Sequence, residues 1–223
     1  MDIKKNTVSA VNQMICSSEV SYFGQEGAPT KILIVGNSIT RHGPCAEIGW
    51  NRDWGMAASA PEKDYVHRLY SMLQASGYDV QMRIRQAAGW ERNFLKEDVL
   101  VDYQGEHDFQ ADIVVFRLGE NVLEADKPFF KEAMEQFVSF LCPATGTMIF
   151  TTCFWKNDTI DEAICEVANK RKEPCLNGCF SVDERNMALG QFAHGGVSIH
   201  PSDAGMEEIA KTIFQAIASI IQK

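Results

Sequence analysis

The sequence predicts an α/β fold, a three-layer α/β/α sandwich built on one parallel sheet. Three observations carry that prediction. Two short continuous apolar runs, Lys31 to Val35 (KILIV) and Asp112 to Leu118 (DIVVFRL), read as strands buried on both faces. Stretches with apolar residues three and four apart lie between the strands, as crossover helices must. No internal repeat, low-complexity tract or long linker divides the 223 residues, so a single domain is expected.

Taken in order, the first 27 residues carry no clear periodicity and stay unassigned as an N-terminal extension. The KILIV strand ends at Gly36. Glu62 to Ala75 has Tyr65, Leu69 and Leu73 on one face and Gly77 to stop it, which predicts a helix. Tyr78 to Arg85 alternates as a strand does. After the DIVVFRL strand, Lys127 to Leu141 places Phe130, Met134 and Phe137 in helical register. Gly146 to Phe154 predicts the next strand, Ile160 to Lys172 the next helix, and Cys179 to Val182 a last strand. Ser202 to Gln222 predicts the final helix, capped by Ser202, with Ile209, Ile213 and Ile217 as its apolar stripe.

Composition narrows the function. Hydrophobic residues are 45% and charged residues 23%, which excludes a disordered chain. A net charge of −9 repels phosphate backbones and anionic lipid, so nucleic acid and membrane surfaces are not expected partners, and a small-molecule substrate is. No apolar run approaches the roughly 20 residues of a membrane span, and Asn6 to Val20 is too polar for a signal peptide. A cytoplasmic protein is expected, or a secreted or periplasmic one if a leader has been removed. The seven cysteines are odd in number and scattered, which predicts reduced thiols; Cys175 and Cys179 have no second pair to complete a zinc site.

In parallel α/β sheets ligands gather beyond the carboxyl ends of the strands. Four candidates fall there. Gly36-Asn37-Ser38 follows the first strand on a sharp strand-to-helix turn that would expose the Ser38 hydroxyl. Gly89 ends the segment after the second strand, where a backbone N–H can approach a bound group. Gly119-Glu120-Asn121 follows DIVVFRL and offers the Asn121 amide to a developing oxyanion. His200, followed by Pro201, precedes the last helix. Each has an ordinary reading: a capping serine, a loop glycine, a turn asparagine, a surface histidine. Their convergence on one sheet edge supplies a nucleophile, three oxyanion donors and a base.

With those four blocks in order, the sequence resembles the SGNH (GDSL-type) hydrolase family over about residues 31 to 221, nearest to bacterial carbohydrate-esterase-like members. The resemblance implies a flavodoxin-like sheet and a serine esterase without metal or organic cofactor. Ser38 would be nucleophile, His200 base, and Ser38, Gly89 and Asn121 the oxyanion hole. Three positions depart from the family pattern. Asn37 stands where aspartate is usual, Val122 follows Asn121 in place of aspartate, and Val197 occupies the position of the aspartate that orients the histidine. A backbone carbonyl near Val197 is the favoured substitute for that aspartate, with Asp183, Glu184 and Glu120 as alternative carboxylates.

Trp50, Trp54, Trp90 and Trp155 all lie outside the predicted helices and near the carboxyl edge, where indole faces could stack on a sugar ring. The segment Gly43 to Ala60 is longer than a connection needs and is expected to wall a pocket, with Arg41, His42 and Arg52 as candidate polar contacts. An esterase removing a small acyl group, acetyl above all, from a carbohydrate is therefore the leading expectation. A lipase-like or thioester hydrolase, and a non-catalytic anion- or sugar-binding module, are the alternatives.

Overall fold

A computed structural model of the chain describes residues 20–221. Among the described residues six strands form one sheet: β1 (Val20–Phe23), β2 (Thr30–Gly36), β3 (Val80–Gln86), β4 (Ile113–Arg117), β5 (Thr147–Thr151) and β6 (Cys175–Leu176). Their spatial order is β1-β3-β2-β4-β5-β6, parallel throughout except that β1 runs antiparallel along β3. The helices are α1 (Tyr65–Ala75), α2 (Ala88–Asn93), α3 (Gln104–Asp108), α4 (Lys127–Leu141), α5 (Asp158–Arg171), α6 (Gly195–Ser198) and α7 (Asp203–Ile221).

Alternation along the central strands creates the layers. Leu33 and Val35 of β2, with Val114 and Phe116 of β4, face α2, α4 and α5. Ile32 and Ile34, with Ile113 and Val115, face α1 and α7. Both sets are buried, which is why these strands read as unbroken apolar runs. On α7 the stripe Met206, Ile209, Ala210, Ile213 and Ile217 is buried. At roughly 1.5–3 kcal/mol for each large side chain taken out of water, that stripe holds the loop before α7 firmly against the sheet edge. No described helix is long and apolar enough to cross a membrane.

Several local expectations are corrected. Val20–Phe23, within the unassigned N-terminal stretch, is an edge strand. The last strand lies at Cys175–Leu176; the region around Cys179 instead forms a single 3-10 turn at Phe180–Val182. The serine turn leads into a long loop rather than a helix, and Gly89 and Trp90 sit inside the short helix α2, whose six residues are too few to show a period. Cys165 and Cys175 are joined as a disulfide between α5 and β6, with Cα atoms 5.6 Å apart, against the expectation of reduced thiols throughout. Cys45, Cys142, Cys153 and Cys179 are free. Cys16 and the predicted end of the last helix at Gln222 lie outside the described residues.

Candidate active site

β2 ends in register with β3 and β4, Gly36 lying opposite Gln86 and Arg117, so the three following segments leave from one edge. A side chain at Gly36 would overlap Thr40 Oγ1, which packs back over the strand end and hydrogen-bonds the Tyr65 hydroxyl at 2.7 Å. The turn is closed by Asn37, whose backbone O accepts from Thr40 N (2.9 Å) and Arg41 N (3.0 Å) and whose Oδ1 accepts from Ile39 N (3.2 Å). Ser38 is thereby presented at the apex.

His200 meets it there. Ser38 Oγ lies 2.9 Å from His200 Nε2, across 162 residues of sequence. On the other side of the ring, Nδ1 lies 2.6 Å from the Gly196 carbonyl oxygen. A carbonyl can only accept, so Nδ1 carries the proton and Nε2 is left as an acceptor for the serine hydroxyl. The orienting group is thus main chain, one residue before Val197. Asp183 is half-buried and paired with Arg185, Glu184 is exposed, and Glu120 is held by Arg117; the Nδ1 partner is the Gly196 carbonyl and none of these carboxylates.

Val197 is 1% exposed in an apolar cluster with Cys45, Ile48, Trp50, Met56, Ala57 and Ala188. That cluster joins the loop after Ser38 to the segment before His200. Ala188 N donates to His200 O (2.9 Å), and Asp203 accepts from Ser59 N (2.8 Å) and Ser59 Oγ (2.6 Å). Trp155 stands edge-on to the His200 ring, centroids 5.1 Å apart, and donates through Nε1 to Ile199 O at 3.2 Å. Burial disfavours the imidazolium and pushes His200 down to about 3, against the smaller upward pull of the Gly196 carbonyl.

The other flank of Ser38 is polar. Glu91 on α2 is fully buried. Its Oε1 accepts from Gly119 N (2.5 Å), Asn121 N (3.2 Å) and Asn37 Nδ2 (3.3 Å), and its Oε2 accepts from Asn121 Nδ2 at 2.7 Å. Glu120 accepts from Asn37 Nδ2 (2.6 Å), Arg117 Nη2 (2.7 Å) and Phe154 N (2.9 Å). Asn37 therefore donates one amide to two carboxylates. An aspartate at that position would place a third carboxylate against them, which accounts for the asparagine. Burial, then the charge of Glu120, raises the Glu91 carboxyl well above its ordinary range. Gly119 adopts φ +142°, a conformation side chains rarely take, and a Cβ there would sit 2.7 Å from Ile160 Cγ2.

Asn121 thus lies at the predicted edge with its amide held, and Gly89 is the second residue of α2, where a backbone N–H has no partner within its own helix. The tryptophans divide. Trp50 and Trp90 are each 1% exposed; Trp50 belongs to the apolar cluster, and Trp90 stacks on Phe137 with centroids 4.5 Å apart. Neither offers a face to a substrate, because both fill core positions. Trp54 is half-buried with its indole N–H spent on Ala58 O (2.9 Å) and Arg52 lying over its ring, which leaves Trp155 as the indole beside the dyad. Arg41 is paired with Asp53 through two bonds, 2.9 and 2.7 Å, His42 is buried, and Arg52 ties Trp50 and Trp54 together, so these three brace the loop. A cleft of about 490 Å³ lies off this centre; it includes Gly89, Asn93, Lys96 and Tyr103 but neither Ser38 nor His200.

Glu91 and Arg117 were not anticipated. An arginine inside the DIVVFRL run is a readable anomaly, since a charge in a buried strand has to be paired. Glu91 carries a fainter signal: it falls one turn after Ala88, on the face α2 turns to the sheet. Among the described residues no cluster of three or more His, Cys, Asp or Glu could hold a metal ion.

No protein-family profile matches the sequence, and no curated protein matches it. Solved structures do. The psychrotrophic esterase EstA from Pseudoalteromonas sp. superposes with a TM-score of 0.55 at 13% identity, covering 87% of this chain and 100% of that one. A mutant of the acetyl-xylooligosaccharide esterase Axe2 from Geobacillus gives a TM-score of 0.57 at 15% identity, over 86% of this chain and 95% of that one. A family two carbohydrate esterase from Cellvibrio japonicus gives 0.56 at 15% identity, over 87% of this chain and 62% of that one. The fold is that of the SGNH hydrolases.

Proposed function

We propose that this chain is a serine carboxylic-ester hydrolase that removes a small acyl group, acetyl above all, from a carbohydrate. The observation that carries the reading is the 2.9 Å contact between Ser38 Oγ and His200 Nε2, with Nδ1–H held by Gly196 O. That tautomer prepares Nε2 to take the serine proton as Oγ attacks an ester carbonyl. The Ser38 and Gly89 N–H groups and the second N–H of the Asn121 amide are the donors available to the oxyanion. His200 then protonates the leaving alcohol, and water releases the acyl group from Ser38. A neutral carbonyl stabilises the imidazolium less than a carboxylate would, so more of the rate rests on the oxyanion donors.

Two features support the substrate class. Trp155 stands half-buried beside His200, and indole faces stack well on sugar rings. Among the proteins that share the fold are an acetyl-xylooligosaccharide esterase and a carbohydrate esterase. Hydrolysis rates across acetylated sugars and p-nitrophenyl esters of increasing chain length test the reading. Acetyl esters of sugars should be turned over fastest, with rates dropping beyond short acyl chains. A preference for long chains would overturn the carbohydrate assignment in favour of a lipase-like or thioester hydrolase. No turnover of any ester by folded protein would favour a binding module.

A further inference from the structure

We infer that Glu91 and Arg92 are positioning residues that clamp the Asn121 amide from both ends and aim its free N–H at the oxyanion. The inference rests on the esterase reading above. Asn121 Nδ2 donates one hydrogen to Glu91 Oε2 at 2.7 Å, while Asn121 Oδ1 accepts from Arg92 Nη2 at 3.1 Å. A primary amide has two N–H donors and one acceptor oxygen. With an acceptor on one end and a guanidinium on the other, the amide cannot flip without placing donor against donor and oxygen against carboxylate. One N–H is left over, and its direction is fixed by the other contacts.

The backbone is fixed by the same carboxylate. Glu91 Oε1 accepts from Gly119 N and Asn121 N, so a single buried side chain sets both the turn that carries Asn121 and the rotamer of its side chain. Glu91 and Arg92 are consecutive on α2, two and three residues after Gly89, so the helix that supplies one expected oxyanion donor also orients another. Burying a carboxylate is costly unless its lone pairs are used, and four N–H groups use these. An apolar residue here would strand the Gly119 and Asn121 N–H groups and the Asn121 amide, so the carboxylate belongs to the turn and the side chain it holds. The placement of the charge is explained by what it orients.

The test is a double-mutant cycle on hydrolysis of p-nitrophenyl acetate, with Ser38→Ala as the blank. Glu91→Gln keeps the size of the side chain but sets an NH₂ where an acceptor was. It should lower kcat by roughly 10- to 100-fold, part of the 100- to 1,000-fold that a lost oxyanion donor costs, with KM changed by less than about threefold. In an Asn121→Ala background the same substitution should cost less than about twofold, because its target is gone. Equal losses in both backgrounds would overturn the inference and make Glu91 a purely structural group. If Glu91→Gln does not fold, Arg92→Met at the half-buried outer end of the clamp answers the same question. A loss in kcat that disappears in Asn121→Ala supports the clamp, and one that persists contradicts it. Absence of any Ser38-dependent turnover in the wild-type chain would overturn the esterase reading itself, and this inference with it.

Discussion

The two flanks of Ser38 are held by opposite means. On the Asn121 side, Asn37, Glu91, Arg117 and Glu120 form a buried polar network in which each charge is answered by a donor or an opposite charge. On the His200 side, support comes from a backbone carbonyl, an indole edge and the apolar cluster around Val197. Directional groups hold the Asn121 amide at both ends. Where a flat ring needs only one acceptor and a close-fitting wall, the main chain and hydrophobic packing suffice. With Val197 where an aspartate was expected, the imidazole is held by main chain, and its contact with Ser38 is kept.

The largest expected effect breaks both flanks at their meeting point. Ser38→Ala and His200→Ala should each reduce kcat by roughly four to six orders of magnitude, and the double variant should be no worse than either, since nucleophile and base act as one unit. Additive losses in ester hydrolysis would show that the two act separately.

Next come substitutions that separate the flanks by stability. Arg117→Met removes the cation paired with buried Glu120 and should cost about 3–5 kcal/mol, read as a lowered midpoint in urea. Val197→Asp should cost a similar amount at neutral pH by burying an uncompensated charge among apolar side chains, and less in acid, where the new carboxyl can take a proton. If Val197→Asp left stability intact and raised kcat, a missing triad would have been restored, and the account of that flank would be wrong.

Acidity separates them further. His200 titrates at about 3 in the folded chain against an ordinary 6.5, so the unfolded chain takes up this proton first. Its contribution is therefore a loss of stability as pH falls from 6.5 toward 3. Glu91 is shifted the other way, so its contribution favours the folded state in acid and is lost as pH rises through its raised pKa. Melting curves across pH should show His200→Gln flattening the acid side and Glu91→Gln flattening the side above it. In Glu91→Gln the acid limb of kcat/KM that belongs to His200 should fall well below 6.5; a limb remaining at 6.5 would contradict the burial of the ring. The smallest effect is expected for Trp155→Phe, which keeps an aromatic edge on His200 but loses the bond to Ile199 O. It should cost a few-fold in kcat/KM on sugar esters, with p-nitrophenyl acetate less affected.

The layers were legible because β2 and β4 are buried on both faces and cannot alternate in polarity. The serine and histidine loops were legible because Gly36 and Pro201 punctuate them. Helix α2 was not, being six residues long with a glycine inside it, and so the burial of Trp90 and the role of Glu91 stayed hidden. Trp50 looked like a pocket wall because a long loop gives no periodicity to reveal its packing; the cluster that buries it draws on residues more than a hundred positions apart in the chain. The Gly196 carbonyl is main chain and leaves no mark in a sequence. The pairing of Cys165 with Cys175 depends on how α5 runs back to the sheet edge, which spacing alone does not give.

The central claim is that Ser38 is a nucleophile activated by a histidine that the main chain holds. Incubation with a fluorophosphonate, followed by mass spectrometry of the intact chain and its peptides, tests it most directly. The account predicts one adduct, on Ser38, absent in Ser38→Ala and formed at least roughly a hundred times more slowly in His200→Ala. Folded protein that stays unlabelled, or carries its adduct on another residue, would contradict it.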